Sequence, residues 1–125
     1  MKKIIETNNA PQAIGPYSQA VLTNNTLYCS GQIAIDPKTN KLVNNNIIEE
    51  TKQVIENIKQ ILLSVNMNLQ NIVKCTIFLK SMNDYNEVNK VYSSYFTDNP
   101  PAREAVEVSK LPKDVNIEIS VIAAI

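Results

Sequence analysis

The chain has 125 residues, 44% hydrophobic and 19% charged, enough for one ordinary globular domain with its own core. Lysine plus arginine equal aspartate plus glutamate at 12 each, so the formal net charge is zero, and the dispersed lysines form none of the basic stripes that nucleic-acid binders carry. The absence of histidine excludes Ser-His and Cys-His nucleophile pairs, the usual zinc sites and an imidazole base, leaving carboxylates, tyrosines, hydroxyls and backbone groups for any chemistry.

In chain order, Lys2 to Thr7 predicts a short strand whose apolar run is too brief for a signal peptide, and no later stretch is apolar enough to span a bilayer. A cytoplasmic protein is expected. Asn8 to Gly15 reads as a loop around Pro11, and Gly15 to Leu22 runs from a turn into a strand. Asn24-Asn25 predicts a hairpin turn into a strand over Leu27 to Ile35, and Asp36 to Asn40 predicts a second turn. Asn46 followed by Glu49 has capping-box spacing. After it Ile47, Thr51, Val54, Ile55, Ile58, Ile61, Leu62 and Val65 recur at helical steps, each buried aliphatic contributing at most ~1.5–3 kcal/mol.

Ile72 to Leu79 is a β-branched, apolar strand suited to a sheet interior. Asp84 and Glu87 have capping-box spacing again, and Tyr85, Val88, Tyr92, Tyr95 and Phe96 mark a second amphipathic helix, with Asn89 among the aromatics either as a satisfied amide or as a pocket residue. Pro100-Pro101 ends that segment and delivers the chain into a strand at about Ala102. Leu111 to Asp114 is a turn before a final strand from Asn116 to Ala124. The order β, β, β, α, β, α, β, β predicts an α+β domain, one sheet with two helices on one face. Cys29 and Cys75, far apart and outside any CxxC spacing, are expected as buried thiols.

Arg103 is the only arginine in a chain that otherwise uses lysine, and its planar fork of donors can grip a carboxylate in two places. In the final strand Ile117, Ile119, Val121 and Ala123 form an apolar face, with Glu118 and Ser120 opposite. In the preceding strand Val106 and Val108 share the apolar side, which puts Arg103, Ala105 and Glu107 on the other. If the two strands are neighbours, Arg103 and Glu118 lie on one polar face. Two helices cannot cover both faces of such a sheet, so the second face is expected to meet other subunits. Only two glycines occur. Gly31, inside a strand within Ser30-Gly31-Gln32, marks either a bulge or a close approach to the backbone.

Gly15-Pro16-Tyr17-Ser18-Gln19-Ala20, Ser30-Gly31-Gln32, Asn89, Pro101-Ala102-Arg103, Val106-Glu107-Val108, Leu111-Pro112-Lys113-Asp114-Val115 and Ile117-Glu118-Ile119 together resemble the RidA-type reactive intermediate deaminase (YjgF) family. The resemblance runs through the whole chain, residues 1–125. It implies a chorismate-mutase-like α+β fold and a homotrimer with sites between subunits. It implies hydrolysis of 2-imino acids, formed by pyridoxal-phosphate dehydratases, to 2-oxo acids and ammonia; no metal or cofactor is expected for that chemistry, and the neutral charge and missing apolar span give an expectation of no nucleic acid and no membrane. By position, Arg103 would bind the substrate carboxylate and Glu118 would position or activate water. Tyr17, Ser30, Gly31, Asn89 and Ala105 would line the site. Cysteine is frequent in the family where this chain has Ala105, and a small hydroxyl residue where it has Glu104. Glu104 is expected at the rim near a lysine. The family is also linked to non-catalytic binding of small carboxylates and to ribonuclease or translation-inhibitor activity, which are the alternatives.

Overall fold

A computed structural model describes residues 1–125. The chain begins with β1 (Lys3–Ile5), and β2 (Ala20–Thr23) and β3 (Thr26–Gln32) form the hairpin predicted at Asn24-Asn25. Both asparagines take left-handed φ, 48° and 63°, as a two-residue turn between twisted strands requires. β4 (Ile35–Asp36) and β5 (Lys41–Leu42) make a small separate ribbon, closed by the predicted turn, where Asn40 sits at φ 60°.

Helix α1 (Ile47–Leu63) starts at the predicted cap, with half of the expected capping box: the Asn46 side chain accepts the Glu49 N–H at 2.8 Å, while the Glu49 carboxylate faces Lys52 instead of the Asn46 N–H. Its stripe from Thr51 to Leu62 is buried, but two polar residues are buried with it. Glu50 accepts the Asn116 backbone N–H at 2.8 Å and its side-chain amide at 2.7 Å. Asn57 donates to the carbonyls of Ile33 and Ile35 at 3.1 and 2.9 Å. These bonds tie α1 to two segments that flank β3 and the last strand.

β6 (Ile72–Leu79) leads to α2 (Tyr85–Tyr95), followed by β7 (Ala102–Glu107) and β8 (Ile117–Ala124). The capping box expected at Asp84 is not formed. Asp84 is itself helical and caps nothing, and Ser81 instead accepts the Asn83 N–H to start a short 3-10 turn that feeds α2. Ser81 wins because the turn begins three residues earlier than the Asp84 spacing suggests. No helix is long and apolar enough to cross a membrane.

Strand order in the six-stranded sheet is β1-β2-β3-β8-β6-β7, antiparallel except for the β6–β7 pair. Two parallel strands need a crossover, and α2 supplies it. The last two strands are therefore not neighbours, contrary to the arrangement considered from sequence, because β6 lies between them. Both helices pack on one face, where Leu27 and Cys29 of β3, Cys75, Ile77 and Leu79 of β6, and the predicted apolar row of β8 are buried. The other face is open. Ile4, Tyr28 and Val106 are among its exposed apolar residues.

Candidate active site

Arg103 stands on β7 in register with Cys75 of β6, which is itself in register with Val121 of β8. Paired residues share a face, and Cys75 and Val121 are buried under the helices, so Arg103 points to the helix side. This reverses the face expected for it. The alternation of β7 misleads because β7 is an edge strand: its Val106 is 42% exposed on the open face, and the helix-side slot is filled by Arg103 against aromatic rings.

All partners of Arg103 are neutral. Nη1 donates to Asn89 Oδ1 at 2.8 Å and Nη2 to the Tyr85 hydroxyl at 3.0 Å, both from α2. The guanidinium carbon lies 4.7 Å from the Tyr92 ring centroid and 5.7 Å from that of Tyr85. No carboxylate of the chain pairs with it. Of five N–H donors three stay free, so the group is a fixed cation with donors to spare. Ala105, two residues on, shares this side and packs partly against the core. Glu104 points the other way and pairs with Lys74 at 3.0 Å, at the rim as expected.

The second cluster surrounds a cleft of about 530 Å³ lined by Tyr17, Ser30, Gly31 and Glu118, with Ile14, Ile33 and Lys113 among its other walls. Glu118 pairs with Phe78 of β6 and faces the open side of the sheet. It has no ion-pair partner, and burial pushes its carboxyl above the ordinary value. Gly31 lies where β3 shifts register between Cys29 and Gln32, so the expected bulge is present. It also has a second reason to be glycine. A Cβ there would overlap Glu118 Oε2 and come within 2.8 Å of Cδ.

Local bonding holds the rest of the cleft. Ser30 Oγ donates to the Ser18 carbonyl at 2.6 Å, and Ser30 N–H to the Gln19 carbonyl at 2.9 Å. Gln19, buried, takes the Thr7 N–H and donates to the carbonyls of Thr7, Ala10 and Pro11, stitching the long loop to the start of β2. Gly15 adopts φ 131°, which a side chain would strain, and this turn presents a half-exposed Tyr17 to the cleft. Behind the cleft, Asn57 pins Ile33 and Glu50 pins Asn116, two residues before Glu118.

The seven residues singled out from sequence thus fall into two groups. Arg103, Asn89 and Ala105 lie on the helix side at the β7 edge, and Tyr17, Ser30, Gly31 and Glu118 line the cleft. Within one protomer Arg103 and Glu118 are three rows and two strands apart, about 14 Å between Cα atoms at ordinary sheet spacings, with side chains on opposite faces. The shared polar face and an internal ion pair between them are both absent. Tyr85 and Tyr92 were read from the sequence only as apolar helix residues. Their proximity to a charge is not encoded in the 3.6-residue period, and only their polar hydroxyls hinted at it. Buried Glu50 and Asn57 carried no signal, since charged and amide residues on a helix are ordinarily exposed.

A family model described as Endoribonuclease L-PSP matches residues 7–125. A RutC family protein of Pyrococcus horikoshii is 54% identical over 98% of each chain. A human protein named 2-iminobutanoate/2-iminopropanoate deaminase is 46% identical, over 98% of this chain and 90% of that one. A crystal structure of a Rid family protein from Yersinia pestis superposes with a TM-score of 0.95 at 50% identity, over the whole of both chains.

Proposed function

The chain belongs to the Endoribonuclease L-PSP family, the RidA-type (YjgF) proteins its motifs resemble, and from that premise we propose that it hydrolyses short 2-imino acids to 2-oxo acids and ammonia. The observation that carries this reading is Arg103: a cation held by an amide, a phenol and two rings, unpaired with any carboxylate, with three donors free. Such a group is a carboxylate receptor, and a charge-assisted bond to it is worth roughly 1.5–3 kcal/mol.

Glu118 supplies the other half. A carboxylate raised above its usual range by burial is, in its ionised form, a stronger base than a solvated one. With the substrate carboxylate on Arg103, the protonated imine carbon faces a water held by Glu118. The water oxygen bonds to C2, the C=N π pair moves to nitrogen, and Glu118 takes the water's proton. The resulting carbinolamine receives that proton on nitrogen; Glu118 then takes the hydroxyl proton as C=O forms, the C–N pair leaves with ammonia, and the 2-oxo acid remains, with Glu118 releasing its proton to ammonia or solvent. An iminium is already electrophilic, so Arg103 need only orient it. The hydroxyl of Tyr17 and the backbone around Ser30 and Gly31 bound the space in which C2 sits.

The opposite placement of the two groups requires a second protomer. In this proposal the half-exposed apolar sheet face and the β7 edge meet neighbouring copies in a homotrimer, which brings Arg103 of one protomer to the Glu118 cleft of the next. A non-catalytic carboxylate binder would share the Arg103 receptor and differ only in lacking turnover. The ribonuclease reading has less support: the chain is neutral and has no histidine. Generating 2-iminobutanoate in place with a threonine dehydratase and following its decay decides among these. Wild type is expected to speed decay, with Arg103→Ala and Glu118→Ala at the buffer rate. Decay at the buffer rate with wild type would remove the deaminase proposal.

A further inference from the structure

We infer that Tyr85 is a positioning residue for Arg103, its hydroxyl fixing the plane of the guanidinium and its own charge state setting how strongly the site holds a carboxylate. The inference deepens the deaminase proposal and rests on its carboxylate anchor. Tyr85 is the first residue of α2, and one turn later the same helix supplies Asn89. The two side chains take one hydrogen from each terminal nitrogen of Arg103, at 3.0 and 2.8 Å. Two fixed acceptors on two nitrogens leave a planar group no freedom to rotate. Tyr92 closes one side of that plane with its ring at 4.7 Å. Asn89 alone would leave a pivot about Nη1.

Tyr85 differs from Asn89 in one respect: it can ionise. Its phenol is lowered from the ordinary value, by the Asn89 amide beside it and then by the charge of Arg103. A neutral phenol leaves the full positive charge of Arg103 for an incoming carboxylate. A phenolate pairs with Arg103 internally and repels the ligand, so affinity falls as pH rises. It would still accept the Arg103 hydrogen bond, so loss of affinity at alkaline pH reports charge rather than disorder. Other chargeable groups nearby are Arg103 and Glu107 on β7, the latter holding the Met82 N–H, Cys75 on β6, and Tyr92 on α2. They are the same in a Tyr85→Phe protein, so a comparison of the two isolates Tyr85.

The test is calorimetric titration of 2-oxobutanoate, the expected product, into wild type, Tyr85→Phe and Arg103→Ala between pH 7 and 10. Wild-type affinity is expected to decline below the ordinary phenol value of about 10. Tyr85→Phe should bind about three- to tenfold more weakly at pH 7, from the loosened guanidinium, and stay flat across the range. In turnover the same variant should raise KM by a similar factor with kcat nearly unchanged, since the carboxylate grip is common to ground and transition states. If Tyr85→Phe binds like wild type at pH 7, or keeps the alkaline decline, the role of Tyr85 is overturned while the anchor stands. If wild type and Arg103→Ala bind equally, or neither binds, the anchor itself fails, and the role of Tyr85 with it.

Discussion

Replacing Gly31 with alanine adds one methyl group at the wall of the Glu118 cleft. The backbone there has an ordinary φ, so conformational strain is not the issue, and reduced freedom of the unfolded chain even favours alanine by about 0.4–1 kcal/mol. Contact is the issue. The new Cβ would overlap Oε2 and lie 2.8 and 3.0 Å from Cδ and Cγ of Glu118, so the carboxylate must withdraw by about 1 Å or more. The half-exposed side chain has room to do so, which limits the net destabilisation to about 1–2 kcal/mol and the fall in Tm to under about 10 °C. Misplacing a catalytic group by 1 Å can cost about 100-fold. The expected outcome is a folded protein whose imine hydrolysis drops about 100-fold in kcat. In a Glu118→Gln background the same substitution should cost little more, because the group it displaces is already disabled. A kcat within about threefold of wild type would refute the link between Gly31 and Glu118.

Arg103→Lys keeps the charge but puts three donors on a single nitrogen in place of a planar fork, so it cannot keep the Asn89 and Tyr85 bonds and still meet a carboxylate in two places, and kcat/KM for imine hydrolysis is expected to fall about 10- to 100-fold. Glu118 is raised by burial in the folded state, so its charged form opposes folding: the stability it allows is complete below the ordinary carboxylate value of about 4 and is lost as pH rises through the raised one. Glu118→Gln should therefore raise Tm at neutral pH and match wild type in acid. Wild-type kcat/KM should fall with acidification through that same raised value. Glu50→Ala removes a fully buried carboxylate and strands the part-buried Asn116 N–H it accepts from, and is expected to cost about 2 kcal/mol, read as a Tm lower by roughly 5–10 °C.

The elements of the fold were largely legible because each follows from local chemistry: the left-handed asparagines at 24, 25 and 40, the Asn46 cap, the apolar stripe of α1 and the single apolar face of β8. Order within the sheet was not. Nothing in β7 states that it pairs parallel with β6, and that pairing sets a whole strand between Arg103 and Glu118, in addition to the opposite faces they occupy. The face of Arg103 was misread for a related reason. On an edge strand a valine such as Val106 can sit on the open face, while an arginine finds aromatic rings to lie against under α2. Gly31 was singled out because a glycine inside a strand marks the backbone directly, whereas Ser30 and Tyr17 came to notice through the resemblance. Tyr85, Glu50 and Asn57 were missed because their roles depend on partners 18, 66 and 24 positions away.

The claim that two half-sites combine across subunits is tested most directly by complementation. Arg103→Ala and Glu118→Ala proteins, each inactive on 2-iminobutanoate, are unfolded together in equal amounts and refolded. Random assortment gives a neighbouring pair with both residues intact in about one quarter of sites, so the mixture should recover about 25% of wild-type turnover. A mixture as inactive as its components, from refolded oligomers shown to contain both chains, would contradict the account.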